Sequence, residues 1–212
     1  MRSDLMAGIS SDAANDLVAS AELVTFEPLE TIFLEGQQAR FFFCLLSGYV
    51  RLFKRAQSGR TADIRIYEPG DIFAECMLTV DSTYRHSAQA VDKTKVARFD
   101  IAAVRNLATK HPSIDKVIMN VMSRHLIELM DCVANDRALT GPQKLAAYLL
   151  ERSASEGRDG AVRLPFQKSL LASKLGLAPE ALSRAFSALR DRGVSVNGRN
   201  IRINDIEALS NF

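Results

Sequence analysis

The chain of 212 residues lacks the features that mark membrane-spanning, secreted and metal-cluster proteins. It has no run of about 18 apolar residues, so we expect no membrane-spanning helix. The first residues lack the apolar core of a secretion signal, which makes the cytoplasm the expected compartment. The three cysteines, Cys44, Cys76 and Cys132, have no C-x-x-C spacing, and we expect them to be buried as small apolar side chains.

Signatures of catalysis are also missing. The sequence contains no Ser/His/Asp arrangement, no glycine-rich loop that could cradle a phosphate and no His-Glu metal motif. With 47% hydrophobic and 25% charged residues, the composition is that of a globular protein with one or two domains. We therefore expect a binding protein rather than an enzyme.

Charge is distributed unevenly along the chain. Residues 138–212 carry 11 Lys or Arg and 7 Asp or Glu, a net charge of +4. Residues 1–137 carry 16 Lys or Arg and 18 Asp or Glu, a net charge of −2. A basic carboxyl-terminal part beside a mildly acidic amino-terminal part favours DNA binding by the former.

Residues 170–203 have the pattern of a winged helix-turn-helix. Apolar residues at helical spacing predict two short helices, and Gly176 and Pro179 between them predict a turn followed by a helix start. Asn197-Gly198, between two short β-type runs, is a strong hairpin signal. Such a unit presents its second helix to the DNA major groove. The alternative interpretation is a surface helical hairpin with ordinary solvated charges.

Short β-type runs punctuated by turns extend from about residue 24 to residue 99. Gly36, Gly48, Gly59 and Gly70 recur at intervals of 11 to 12 residues, which predicts a compact antiparallel barrel or roll. The predicted strands include residues 31–34, 41–46, 49–53, 64–67 and 96–99.

Helices are predicted on both sides of this roll. Residues 1–22 have the pattern of one or two short helices, and Asp100 is suited to cap a helix that ends near Lys110. A long helix should run over residues 112–136. Gly141-Pro142 breaks the helical pattern and predicts a hinge, followed by a helix over residues 143–151 and a polar loop over residues 152–160.

The long helix has apolar residues over more than one narrow stripe. A helix that packs on its own domain and also on a partner needs this distribution, whereas the alternative is a wholly buried core helix. We favour a homodimer, because DNA readers of this kind use two half-sites. The predicted dimer contacts are Ile118, Val121, Met122, His125 and Leu129. The predicted domains are a sensor roll (1–111), a dimerisation helix (112–137) and a DNA-binding domain (138–212).

An antiparallel β-roll, a long helix and a winged helix-turn-helix together form an α+β chain that resembles the CRP/FNR family of bacterial transcription regulators. The resemblance rests on PGDIFAE (69–75), GPQKLAAYLL (141–150) and the helix-turn-helix. DIFAE followed by SAQAV (87–91) is most similar to the nitric-oxide-responsive regulators of denitrification. The resemblance implies a cyclic-nucleotide-binding-like sensor fold and partnership with double-stranded DNA and RNA polymerase.

The resemblance also implies a DNA site. FNR-type members carry Glu-x-x-Ser-Arg in the recognition helix, and Glu180, Ser183 and Arg184 have that spacing here. Arg184 can donate two hydrogen bonds to guanine, Glu180 can accept one from a cytosine or adenine amino group, and positions i, i+3 and i+4 share one helix face. The implied palindrome is TTGAT-N4-ATCAA. Candidate phosphate contacts are Lys168, Ser169, Lys174 and Arg199.

The cyclic-AMP site of the family is altered in this chain. Its Gly-Glu pair becomes Ala74-Glu75, and its Arg-Ser pair becomes His86-Ser87 with Arg85 displaced by one residue. A one-residue shift on a strand turns a side chain to the opposite face. The polar pair that would hold adenine corresponds to Leu129 and Met130. The predicted effector pocket is therefore unsuited to cyclic nucleotides; its residues are Glu75, Arg85, His86, Ser87, Leu129 and Met130.

A haem sensor is the other implied possibility. His86 lies where the carbon-monoxide-sensing member has a histidine ligand, and apolar residues such as Leu129 and Met130 suit a porphyrin. The alternative is an ordinary strand histidine, and His111 and His125 are further candidate ligands. No cysteine precedes Cys44, so we do not expect the iron–sulfur cluster of other members.

These observations predict a dimeric regulator, an activator of nitrogen-oxide or anaerobic genes, controlled by nitric oxide through haem or by a related signal. A cyclic-nucleotide-responsive regulator and an effector-binding module without DNA activity are the alternatives.

Overall fold

The computed structural model describes residues 8–56, 61–80, 83–156, 160–164 and 167–212. The chain divides into two compact units, Met1–Leu129 and Met130–Phe212, and the boundary falls inside one long helix. The predicted division at residues 111 and 137 stays a prediction, since that helix contributes to both units. Within the described residues, no helix has both the length and the apolar character to cross a membrane.

Two four-stranded antiparallel sheets form the first unit. Its strands are β1 (Ala21–Phe26), β2 (Thr31–Phe33), β3 (Phe41–Ser47), β4 (Val50–Arg55), β5 (Thr61–Tyr67), β6 (Ile72–Phe73), β7 (Ser87–Ala90) and β8 (Thr94–Asp100). One sheet has the order β1-β8-β3-β6 and the other β2-β7-β4-β5. This is the roll that the glycine rhythm predicts, although Gly59 lies outside the described residues.

All five predicted strands are present, with ends shifted by one to three residues. Strands β1, β6 and β7 were not among the predicted runs: β6 and β7 have only two and four residues, too few for a periodic pattern to stand out, and the first residues of β1 were assigned to a helix. The helical prediction for residues 1–22 is right for α1 (Ser11–Ala19), which Ser10 caps, and wrong for the last residues, which begin β1. Residues 1–7 lie outside the described part.

Aromatic side chains fill one end of the roll. The rings of Phe33 and Tyr84 stack with centroids 3.9 Å apart, and those of Phe43 and Phe73 stack at 4.9 Å. The Tyr84 hydroxyl donates to the carbonyl oxygen of Phe41 at 2.7 Å, so its polar atom is satisfied. Of these rings, Phe33 and Tyr84 line the cavity described below.

Two helices follow the roll. The Asp100 carboxylate accepts a hydrogen bond from the Ala103 amide at 3.0 Å and caps α2 (Ile101–Lys110), which confirms that prediction. The long helix α3 (Pro112–Ala138) extends two residues beyond the predicted end. Its first half buries one face in the first unit, through Ile114, Val117, Ile118 and Val121.

The second unit contains α4 (Gly141–Glu156), β9 (Ala161–Arg163), α5 (Lys168–Lys174), α6 (Pro179–Arg190), β10 (Val194–Asn197), β11 (Asn200–Ile203) and α7 (Ile206–Ser210). Strands β10, β11 and β9 form an antiparallel sheet, of which β9 was not predicted. Gly141-Pro142 begins α4 rather than preceding it as a hinge, because proline fits the first helical turn. The predicted loop at 152–160 is helical through Glu156, and residues 157–159 are outside the described part.

Candidate effector cavity and nucleic-acid interface

A cavity of about 360 Å³ lies in the first unit between the roll and the first part of α3. Its volume is in the range of small-molecule sites. Most of its lining is apolar or aromatic, with a few charged groups and two histidines. The lining residues are Phe33, Leu52, Ile64, Arg65, Tyr67, Ala74, Glu75, Cys76, Met77, Tyr84, Arg85, His86, Met122, His125, Leu126 and Leu129.

A buried carboxylate–imidazole pair lies in this lining. Glu75 begins a short 3₁₀ helix (Glu75–Leu78) directly after Ala74, whose φ of 61° is in the left-handed region that non-glycine residues rarely adopt. The Glu75 residue is only 8% exposed, and its Oε1 lies 2.7 Å from Nδ1 of His125 on α3. The carboxylate therefore has a partner inside the protein, which offsets the cost of burying it.

A second charged pair joins β5 to the same helix. Nη2 of Arg65 contacts Oε2 of Glu128 at 2.5 Å, and the Arg65 guanidinium lies 5.2 Å from the centre of the Tyr67 ring. Burial raises the pKa of Tyr67, so its hydroxyl is neutral at physiological pH. Two polar pairs therefore connect the roll to one turn of α3, at His125 and Glu128.

Two polar side chains of the cavity, His86 and Arg85, differ from these pairs. Neither side chain has a hydrogen bond or ion pair to any residue in the described part of the chain, and Arg85 is exposed. Burial, and the nearby charge of Lys54, lower the pKa of His86 below its ordinary value of 6.5. His86 is therefore mainly neutral near pH 7, and a neutral imidazole can bind a metal.

The predicted effector pocket is brought together only in part. Glu75, Arg85, His86 and Leu129 line the cavity, whereas Ser87 and Met130 do not. The Ser87 hydroxyl instead accepts a hydrogen bond from the Glu35 amide at 3.0 Å. Reasoning from sequence missed Arg65, Tyr67 and Tyr84, and it named His125 both as a dimer contact and as a further candidate haem ligand. Only the packing of α3 on the roll brings these side chains to one cavity.

The cysteines also differ from expectation. Cys44 is buried as predicted, but Cys76 and Cys132 are exposed, so the prediction was wrong for these two. No group of three or more His, Cys, Asp or Glu side chains in the described residues is arranged to hold a metal ion.

The predicted dimer contacts on α3 need revision. Ile118 and Val121 are 6% and 3% exposed because they pack in the core of the first unit, so they have little surface to offer a partner. The exposed apolar side chains of α3 are instead Met119, Leu126, Ile127, Leu129, Met130 and Val133. Together with the half-buried Met122, positions 119, 122, 126, 129 and 133 follow the alternating three- and four-residue spacing of a coiled-coil seam.

Helix α6 has an apolar inner face and a polar outer face. Leu182, Phe186 and Leu189 are buried in the second unit, as predicted. Glu180, Ser183 and Arg184 are exposed on the outer face, and their side chains make no ion pair or hydrogen bond within the described residues. These three side chains are therefore available to an external partner.

The candidate phosphate contacts differ from one another. Ser169 is exposed, and the Lys168 ammonium lies 5.1 Å from the centre of the Phe186 ring. The Lys174 ammonium lies 5.8 Å from the Tyr148 ring. Nε of Arg199 donates to the carbonyl oxygen of Leu164 at 2.8 Å. This side chain therefore also connects the turn between β10 and β11 to the residue that follows β9.

Comparison with known proteins identifies the family to which this architecture belongs. A cyclic nucleotide-binding domain profile matches residues 23–111, and a Crp-like helix-turn-helix profile matches residues 143–212. A regulatory protein from Silicibacter pomeroyi DSS-3, for which cAMP binding has been put forward, is 30% identical. Its structure matches with a TM-score of 0.70 over 98% of this chain and 93% of that one. The chain belongs to the CRP/FNR family.

Other relatives agree with this assignment. The CRP-like cAMP-activated global transcriptional regulator of Mycobacterium tuberculosis is 24% identical over 99% of this chain and 96% of its own length. The structure of DNR from Pseudomonas aeruginosa is 27% identical, with a TM-score of 0.54 over 99% of this chain and 93% of that chain. The α+β fold prediction is confirmed, and this CRP/FNR protein is a DNA-binding transcription regulator with an effector-binding domain.

Proposed function

We propose that this CRP/FNR regulator activates genes of nitrogen-oxide or anaerobic metabolism by binding the palindrome TTGAT-N4-ATCAA and recruiting RNA polymerase. The outer face of α6 supports the DNA site: Glu180, Ser183 and Arg184 are exposed, lie on one helix face and pair with no other side chain in the described part of the chain. Arg184 would donate two hydrogen bonds to guanine, and Glu180 would accept one from an amino group.

Fluorescence anisotropy tests the DNA site directly. The purified protein is titrated against a labelled duplex with the palindrome and against a duplex in which the guanine of each half-site is replaced. We expect much tighter binding to the first duplex, with an affinity that falls as salt rises because phosphate contacts release counterions. Equal affinity for both duplexes would contradict the proposed site.

We propose that the effector is nitric oxide bound to haem in the cavity of the first unit. The donor set supports this cofactor, because two imidazoles, His86 and His125, share one cavity with mostly apolar side chains. The exposed Arg85 guanidinium at the same cavity suits a haem propionate. Bound haem would supply an iron coordination position for the gas. The protein would supply a histidine ligand for the iron, the apolar wall of the cavity and the positive charge of Arg85.

The signal would pass through α3. Met122, His125, Leu126 and Leu129 all line the cavity, so any occupant touches this helix directly. Leu126 and Leu129 also belong to the exposed seam of α3. A shift of α3 on ligand binding would thus change the contact between two copies and the spacing of their recognition helices relative to half-sites about one DNA turn apart.

Anaerobic reconstitution with haem tests the effector. We expect a stoichiometric Soret band that shifts with nitric oxide, and a change in affinity for the palindrome when the gas is added. Weak, non-saturating haem uptake would remove the cofactor while leaving the DNA site in place.

A cyclic nucleotide is the second candidate, favoured by the names of the relatives from Mycobacterium tuberculosis and Silicibacter pomeroyi. Against it, the Glu75 carboxylate is already paired with His125, and the Ser87 hydroxyl already accepts from an amide. Calorimetric titration with cAMP separates the two candidates, since saturable binding would favour the nucleotide.

A further inference from the structure

The two histidines of the cavity differ in how they are held. Nδ1 of His125 is bonded to the buried Glu75 carboxylate, and Nε2 has no partner among the residues that the structure describes. His86 has no hydrogen bond through either ring nitrogen within the same part of the chain. One imidazole is therefore oriented by a hydrogen bond, whereas the other has none to any described residue.

A metal-binding histidine needs this orientation. In metalloproteins the second ring nitrogen typically donates to a carboxylate, which fixes the tautomer, holds the ring plane and makes the ligating nitrogen more basic. Glu75 can orient His125 in this way. Its carboxylate is buried, and its backbone position is fixed at the start of the 3₁₀ helix, after Ala74 in the left-handed conformation. The pair joins the roll to α3 across 50 residues of sequence.

We propose that Nε2 of His125 is the protein's anchored ligand for haem iron, that Glu75 is its positioning residue, and that His86 is not the anchored ligand. This inference rests on the proposed haem function and names the ligand within that site. The Glu75–His125 contact would make iron ligation part of the link between the roll and α3. Because Nδ1 of His125 contacts Glu75, ligand binding at an iron held by Nε2 would be coupled to this contact between the roll and α3.

The test uses full-length variants titrated with haem and followed by absorption and by the iron–histidine stretching band in resonance Raman spectra. His125→Gln keeps a side-chain amide that can donate to Glu75 but removes the imidazole. We expect it to lose the histidine-ligated spectrum and to regain a similar one on addition of free imidazole. Glu75→Gln should keep histidine ligation, shift the stretching band to lower frequency and weaken haem affinity about 10- to 100-fold.

His111 provides the matched control. Its Nε2 lies 2.9 Å from the Asp16 carboxylate, so it is also a carboxylate-paired histidine, but it does not line the cavity. His111→Gln should bind haem as the unchanged protein does. Thermal unfolding of each variant without haem separates loss of a ligand from loss of the fold.

Three outcomes would overturn the inference. An unchanged spectrum in His125→Gln, with ligation lost in His86→Ala, would make His86 the anchored ligand and leave the proposed haem function intact. A Glu75→Gln variant that matches the unchanged protein in affinity and stretching frequency would remove the positioning role. Absence of haem uptake by the unchanged protein would defeat the proposed cofactor itself, and with it the ligand assignment.

Discussion

The cavity of the first unit and the outer face of α6 use polar side chains in opposite ways. In the cavity, Glu75 and Arg65 are paired with His125 and Glu128 of the same chain. On α6, Glu180, Ser183 and Arg184 are exposed, and their side chains make no hydrogen bond or ion pair to other described residues. Enclosed charges need partners from the protein itself, whereas a surface that reads DNA must keep its donors and acceptors open until the partner arrives.

The inner face of α6 should be where the largest effect on stability lies. Leu189 is fully buried, so Leu189→Ala should lower the free energy of unfolding of the second unit by about 2–5 kcal/mol through lost burial and a residual cavity. Chemical denaturation followed by circular dichroism measures this. Ser187→Ala, on the exposed side of the same helix, should change it by less than about 0.5 kcal/mol. Equal effects would show that the helix is not anchored as described.

Arg184→Ala should give the next effect, on DNA binding alone. Because the guanidinium is exposed and makes no ion pair with any described residue, we expect little change in stability but a loss of about 1–3 kcal/mol in discrimination at the contacted guanine. Anisotropy titrations with the palindrome and its guanine-replaced form measure the difference. Arg190→Ala, at the end of the same helix, serves as the charge-matched control. An equal loss on both duplexes would make Arg184 a phosphate contact.

The Arg65–Glu128 pair should contribute less than these to the free energy differences, and its effect is on the stability of the first unit. Both side chains are partly exposed, so solvent screens their attraction. A double-mutant cycle with Arg65→Met and Glu128→Gln should give a coupling energy of about 0.2–1 kcal/mol in unfolding of the first unit. A coupling near zero would mean that this pair does not hold α3 to the roll.

The smallest expected effect is a pH dependence from His86. Its pKa in the folded protein is lowered below 6.5, so the unfolded chain binds the proton more readily. The stability contribution is therefore complete above about pH 6.5 and is lost as pH falls through the lower, folded pKa. Unfolding followed between pH 7.5 and pH 5 should show a slightly flatter profile in His86→Gln. A steeper profile in that variant would contradict the direction of the shift.

Much of the recognition unit could be predicted from local sequence. The spacing of Leu182, Phe186 and Leu189 defines the inner face of α6, and Pro179 marks its start. Gly198, with φ of 59°, sits in the predicted hairpin turn. These features depend on residues a few positions apart, so periodicity and turn chemistry contain enough information to predict them.

The long helix shows where local reasoning fails. Its apolar residues cover more than one stripe, and the sequence could not tell which stripe faces the roll. The structure buries two of the predicted contacts, Ile118 and Val121, in the first unit, and leaves Met119, which was not predicted, 66% exposed. Rotation of a helix about its axis is decided by the surface on which it packs, and that surface is built from strands far away in sequence.

The sequence by itself determined the order of roll, long helix and winged helix-turn-helix, and the polar outer face of α6, because these follow from hydrophobic periodicity and from glycine and proline at turns. Only the tertiary structure decided the cavity. Glu75 and His125 are 50 residues apart, and Arg65 and Glu128 are 63 apart. Their meeting depends on how α3 lies on the folded roll, and no local pattern in either segment encodes that packing.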